Sequence, residues 1–560
     1  MDYSFDRFLR YDELTAWLHA QAAAHPHLIS IESYGRSYEG RDLWLATITD
    51  TSTGAADTKP AHWVDANIHA IEVTGGVAAL YLIHHLLSGF GTDAQVTEAL
   101  RTRTFYVVPR VNPDGVEAAL SDAPQFRRSS MRPWPWRDGH RSPGLHECDM
   151  DGNGRILTMR VADPNGGWMV SSAEPRLMVR VPDAGAPAGT TRYRMLYEGE
   201  VLEHDGFTIP TPAPPQSLDL NRNFPAGWGT GVPGSGDHPL SEPEIDALAR
   251  ALTARRNVCG YNAFHTSGGV LLRPSSTQPD SNLPPVDVWT WKRLGEHGTA
   301  LTGYPVHSVY EDFTFDRNDL MSGAADDWVY EHLGVYGWTT EFWDVILHAT
   351  GTKSGTHIWY TGPTEAEELA VYRWAVEHHP EMYVDWAAFD HPQLGPVEIG
   401  GWDDMFFWSN APGSRLVDEV RGHAAFAVHQ ALCSPRLEIL HTRSVALSAD
   451  TFRVEVGLAN TGWLPTYITQ KALKDRLVLP LVAELHADGI EVIAGGAHAT
   501  ARQELGQLEG RLALQFHWGK NDGTSDRVLA TWIVRGTAGT VVEVHATHQR
   551  AGTARTTLTL

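Results

Sequence analysis

The sequence predicts an α/β fold, a mixed central sheet with helices on both faces, followed by a C-terminal antiparallel β-sandwich. Strand and helix patterns alternate through the first third of the chain, and the alternation resumes after an irregular stretch. Residues 435–560 then break into short alternating runs separated by turn residues. In order, residues 12–24 have helical periodicity and stop before Pro26. LISIESYG, LWLATITD and AHWVDANIH read as strands, a helix runs from about Glu72 to Leu87, a second lies near 93–103, and TFYVVPRV is another strand. From about 120 to 217 Pro, Gly, Asp and Arg dominate without a long periodic segment, which reads as an insertion or an elaborated loop. Regular structure returns at SEPEIDALARALTAR, where Ser241 and Glu244 have the spacing of a capping box. The strand VCGYNAFHTS, helices near 286–302 and 324–333, the strand YGWTTEFW and a helix at about 364–378 complete an α/β domain over 1–388. Residues 389–434 read as a Gly/Pro-rich connection and a helix from 415 to 432. In the sandwich over 435–560, RLALQFHWG is among the expected strands.

The chain has 560 residues, more than one compact core holds, which agrees with two domains. Its formal charge of −24 disfavours nucleic acid and anionic membrane surfaces as partners. No apolar run is long enough to cross a bilayer, and the charged start, MDYSFDRFLRYDELTAWL, lacks the features of a signal peptide, so a cytoplasmic location is expected. Cys148, Cys259 and Cys433 are odd in number and widely spaced, which argues against a disulfide scaffold and a thiolate metal site. Nothing in the sequence sets the oligomeric state or the role of the sandwich.

A His and a Glu at i, i+3 reach one ion from a single helical turn, and His69 and Glu72 in NIHAIEVTGG have that spacing. The spacing recurs at His378/Glu381 and, with Asp, at His62/Asp65. Context distinguishes the first pair: His69 ends an apolar strand, Glu72 opens a helix, and Gly75 and Gly76 permit close backbone approach. His265 in YNAFHTSGGVLLRP ends another apolar strand. Each residue also has a bland reading, a strand-end pair for the first two and a core histidine for the third.

Eight segments, taken together and in order over about residues 8–380, resemble the zinc carboxypeptidase family of the carboxypeptidase A type: SYEGRDLWLATI, NIHAIE, VNPDGVE, LDLNRNFPAGW, PLSEPE, FHTSGGVLLRP, SGAADDW and TTEFWD. The resemblance implies one Zn²⁺ held by His69, Glu72 and His265, with Glu341 as general base. It implies Asn221 and Arg222 as the pair that grips the free C-terminus of a peptide substrate. An oxyanion arginine is implied upstream, and among Arg127, Arg128 and Arg132 we take Arg128, with Arg132 as the alternative. The family's mobile tyrosine falls on Asp319, for which Tyr310 is the candidate substitute, and Ile71 stands where many relatives have Arg. Asp326 falls where the family's pocket meets the C-terminal side chain, favouring Lys or Arg there. The competing reading is that Asp326 or Asp327 caps a helix.

In the insertion, Asp149, Asp151 and Asn153, followed by Gly154 and Ile156, follow the order of a calcium loop. Arg160 replaces the closing Glu, with Asp163 as a candidate completion. Ca²⁺ there competes with a plain Asx turn. For the whole chain, the expected activity is that of a zinc metallocarboxypeptidase. The alternatives are a zinc amidase or endopeptidase acting on peptidoglycan stem peptides or other modified peptides, and a non-catalytic peptide-binding protein of the same fold.

Overall fold

The computed structural model describes residues 3–122, 124–136, 141–212, 214–314, 316–355, 358–496, 500–516 and 522–560. Eight strands form the central sheet: β1 (Ile29–Arg36), β2 (Asp42–Ile48), β3 (Ala61–Ala66), β4 (Thr104–Val108), β5 (Val258–Thr266), β6 (Val270–Arg273), β7 (Val306–Ser308) and β8 (Tyr336–Phe342). Their order is β1-β2-β4-β3-β5-β8-β6-β7. The central pairs β4/β3, β3/β5 and β5/β8 are parallel, whereas β1/β2, β2/β4 and β6/β8 are antiparallel. The sheet is therefore mixed, as expected.

Side chains alternate between two cores. Val64, Ala66, Phe105, Val107 and Phe264 face helices Tyr11–Ala24, Val73–Gly89, Pro285–Thr302 and Leu416–Cys433. Trp63, Tyr106, Val108, Tyr261 and Ala263 face helices Pro243–Ala254 and Ala325–Leu333. Because both faces are covered, β3 and β4 are buried at every position, including His62 and Asp65 of β3.

The capping box at Ser241 is not formed. The helix begins at Pro243 after Glu242, and Glu244 accepts instead from the Tyr38 amide. Asn223 donates to the Ser241 hydroxyl, which itself bonds Glu242, so tertiary partners claim the would-be cap.

Two further regions differ from expectation. The insertion is not a loop: strands Thr158–Ala162, Trp168–Val170, Met178–Arg180 and Tyr193–Tyr197 join a hairpin, Tyr383–His391 and Gly395–Trp402, in one six-stranded sheet. The hairpin occupies part of the supposed Gly/Pro-rich connection. Its glycines serve close packing, since a Cβ on Gly400 would lie 2.9 Å from the Trp386 backbone. In the C-terminal domain two four-stranded antiparallel sheets enclose Phe452, Val454, Leu458, Trp532, Val534 and Val544, the expected sandwich. Within RLALQFHWG, however, Arg511–Phe516 is a short helix, and the rest lies outside the described residues. Among the described residues no single helix is long and apolar enough to cross a membrane.

Candidate metal centre and active site

The site sits where β3, β5 and β8 end. After β3 the chain turns at Asn67, whose side-chain amide donates to the Glu72 carbonyl at 2.6 Å and shapes the step into helix Val73–Gly89. That helix lies against β5 at backbone distance: a Cβ on Gly75 would meet the Phe264 carbonyl oxygen at 2.6 Å, and one on Gly76 the Asn67 side chain at 2.3 Å. The two glycines thereby bring Glu72 up to His265, on the neighbouring strand. His265 in turn pairs in register with Glu341 on β8.

His69, Glu72 and His265 converge. The Glu72 carboxylate lies 2.8 Å from His69 Nδ1 and 2.9 Å from His265 Nδ1, and the two Nδ1 atoms are 3.1 Å apart. Each of the three residues is 3% exposed or less. His69 Nε2 faces the Asp219 carboxylate at 3.0 Å, which holds the imidazole proton on that side and leaves the Nδ1 lone pair aimed at the cluster. Two imidazole lone pairs and a carboxylate directed at one point fit a divalent cation of zinc type. The surrounding charge agrees. Glu72, Asp219 and Glu341 supply three carboxylates, facing the guanidinium of Arg128 and, at Asp219, that of Arg222.

The electrostatics follow from burial and this crowding. Burial opposes ionisation of Glu72 and Asp219, but His69 and His265 hold Glu72 below the usual carboxylate range, and Arg128 and His69 hold Asp219 well below it. Glu341 moves the other way: burial raises it, and the Glu72 charge adds to that rise, against the pull of His265 and Arg128. A cation at the cluster would draw Glu341 back down.

The remaining candidates separate clearly. Arg128 donates to Glu72 at 3.0 Å and Asp219 at 3.2 Å and is half-exposed at the site mouth. Arg132 is drawn away into a 2.7 Å ion pair with Glu242, and Arg127 bonds Gln216 and Gln125. Asn221 sits in the turn Leu220–Arg222, and its side-chain oxygen accepts from the Ala325 amide, tying the turn to the start of helix Ala325–Leu333. Arg222 donates to the Asn221 carbonyl and acts electrostatically on Asp219. Asp326 is buried in the first turn of that helix, within electrostatic reach of His265 and Glu341. Neither Asp326 nor Asp327 is the N-cap, which is Ala324. Asp327 accepts from the Ser276 amide. Tyr310 lies under the Arg317 guanidinium, which is 3.8 Å from the tyrosine ring centre, and it bonds no residue of the cluster among the described residues. Ile71 is buried against Ala119 and Met405, so it presents no charge to the cleft.

In the insertion, Asp149 accepts from the amides of Gly152, Asn153 and Gly154, and Asp151 from Asn153, which is Asx-turn geometry. Buried Glu198 stands beside them and accepts from the amides of Met150, Asp151 and Leu157. Asp163 is elsewhere, paired with Arg194, and Arg160 is paired with Glu398.

Two functional neighbours escaped the sequence reading. Asp219 was available as the acid opening DLNRN. Glu419 gave no local signal: it reaches from helix Leu416–Cys433 to accept the Trp343 amide at 2.9 Å, bracing the chain just past Glu341.

The zinc carboxypeptidase family model matches residues 14–168 and 191–350, and residues 436–559 match a domain of unknown function (DUF8731). Carboxypeptidase B of Astacus astacus is 31% identical over 158 residues, covering 28% of this chain and 43% of that protein. Carboxypeptidase A2 of Rattus norvegicus is 28% identical over 356 residues, covering 62% of this chain and 65% of that protein. The matched stretches thus fall short of two thirds of either relative's length. Among solved structures, thrombin activatable fibrinolysis inhibitor aligns at 17% identity over 76% of this chain and 74% of its own, with a TM-score of 0.43. With the family model covering more than half of its length, this chain belongs to the zinc carboxypeptidase family.

Proposed function

We propose that the protein is a zinc metallocarboxypeptidase that removes the C-terminal residue of peptides. The observation that carries this reading is the convergence of His69, Glu72 and His265 beside Glu341, which is in register with His265 at the same sheet edge. Zinc held by those three residues supplies Lewis acidity toward a water and the scissile carbonyl. Glu341 takes a proton from the attacking water and returns it to the nitrogen as the C–N bond breaks, a role suited to a carboxylate whose proton affinity is raised by burial. Arg128, with its guanidinium at the site mouth, faces the carbonyl oxygen as negative charge develops. Asn221 and Arg222 grip the terminal carboxylate. Asp326 selects Lys or Arg as the released residue. A clear preference for releasing Phe over Arg would overturn that last assignment.

One observation supports a second reading. The added six-stranded sheet lines a cavity together with Arg127, the neighbour of Arg128, and a cleft reshaped in this way suits a zinc amidase or endopeptidase acting on stem peptides of peptidoglycan. Metal analysis combined with mass spectrometry of linear peptides and murein fragments decides between them. A C-terminal ladder from linear peptides supports the carboxypeptidase; cleavage confined to murein fragments supports the alternative. If zinc binds and neither substrate is cut, the protein is a peptide binder of this fold.

A further inference from the structure

A cavity of about 900 Å³ lies not in the central sheet but between the insertion and the hairpin Tyr383–Trp402. Chain segments that reach the metal cluster continue into the cavity wall. Arg127 lines it, and the next residue, Arg128, bonds Glu72. Gln216 lines it too and accepts from Arg127, three residues before Asp219. A substrate whose C-terminus lies at the metal therefore has this chamber beside it for the residues that precede the scissile bond.

The charges on its walls are unequal. Arg127 faces Glu147, and Arg141 pairs with Glu200 at 3.2 Å, so these lining guanidinium groups have acidic neighbours. Glu368 and Asp404 do not have the converse. Glu368 accepts from the Trp402 indole at 3.1 Å, and the Asp404 carboxyl has no hydrogen-bond or ion-pair partner among the described residues. Burial raises the proton affinity of both acids; the charges of Asp403 and Glu368 add to it at Asp404, which is pushed up to about 7, and that of Glu365 adds to it at Glu368. Aromatic rings flank them. Tyr197 is 46% exposed on the cavity wall and feels the Asp404 charge, and Tyr383 and Trp402 stand edge to face at 4.8 Å. Paired carboxyls without a counter-ion, set among aromatic rings, suit an organic cation.

We propose that this chamber is a second specificity site, which binds a lysine or arginine side chain on the N-terminal side of the scissile bond. The cationic head lies at Asp404 and Glu368, and the aliphatic stem lies along Tyr197 and Trp402. The assignment rests on the carboxypeptidase reading for the direction in which the peptide lies. It is independent of Asp326, which concerns the residue released.

The test uses the zinc-loaded full chain and blocked peptides of two to eight residues with one constant C-terminal residue. A single Lys, or norleucine in its place, is moved stepwise away from the scissile bond. At one position, or two adjacent ones, kcat/KM for Lys should exceed that for norleucine by about tenfold, a difference of about 1.4 kcal/mol. Asp404→Asn should bring the ratio toward one, and Glu368→Gln should lower it as well. Equal rates at every position, a norleucine preference, or a Lys preference that Asp404→Asn leaves intact would overturn the proposal. A blocked dipeptide with Gly on the N-terminal side of the scissile bond, which offers the chamber no side chain, reports the catalytic reading separately. If even the dipeptide is not cut, that reading fails, and calorimetric titration of the Lys and norleucine peptides into wild type and Asp404→Asn decides the chamber. Lys-selective binding that Asp404→Asn abolishes upholds it; indifference overturns it.

Discussion

At the edge of the central sheet, His69, Glu72 and His265 are almost wholly buried and face one another across about 3 Å, with Asp219 and Glu341 close behind. In the added sheet charged side chains meet aromatic rings or opposite charges, and Arg160, though buried, pairs with Glu398. Arg160 rests over Trp386 at 4.6 Å and Arg180 over Trp168 at 4.0 Å, and Arg194 pairs with Asp163 at the surface. The first region concentrates like charge in low dielectric and relies on backbone contact at Gly75 to hold it. The second spreads opposite charges over a half-wet surface, where each pair matters little. One is built for chemistry and intolerant of change; the other shapes the approach and tolerates it.

The sharpest way to break this contrast is to remove the metal. A chelator should abolish hydrolysis, and Zn²⁺ should restore it. The melting temperature should rise with Zn²⁺ concentration, as linkage requires for an ion that binds the folded chain, and scanning calorimetry measures that shift. Next in size is Glu341→Gln, which should lower kcat by about 10²–10⁴-fold while atomic absorption still finds bound zinc. The same variant tests the pH profile. Glu341 works as a base only when ionised; burial raises its pKa and bound zinc lowers it, so wild-type kcat/KM should fall as pH drops through the pKa that Glu341 has in the zinc-loaded enzyme. The residual activity of Glu341→Gln should lack this acid limb.

Asp219→Asn should cost about 10–100-fold in zinc affinity, read by competition with a chromogenic chelator, because His69 loses the acceptor that sets its tautomer. Smallest is Asp163→Ala, at an exposed ion pair. It should change unfolding free energy by less than about 1 kcal/mol and leave zinc affinity unchanged. A large effect there would show that the added sheet is not the tolerant region described above.

The same contrast explains what was legible in the sequence. β3 and β5 are buried almost throughout, so His69, just past the end of β3, and His265, near the end of β5, stand out, and Glu72 follows His69 at the spacing of one helical turn. The added sheet was read as loop because several of its strands run only three to five residues, too short for a period of two to declare itself. Its hairpin partner is more than two hundred residues away along the chain. Ser241 and Glu244 had the spacing of a cap and were claimed by Asn223 and Tyr38, which lie far off in sequence. Glu419 was invisible for a like reason: nothing in its own helix announces a partner on β8's far side.

The C-terminal sandwich is fastened to the α/β unit at buried points. Arg550 donates to the Gly334 carbonyl, at the end of the helix that begins beside Asn221, and Asp287 accepts from the amides of Gln470 and Lys471. A chain cut before Leu437 would leave Asp287 without those two donors, and would open the end of helix Ala325–Leu333 to water. Shortened expression clones that stop at this boundary should therefore be poorly soluble, and a screen for stable fragments should recover the two parts together.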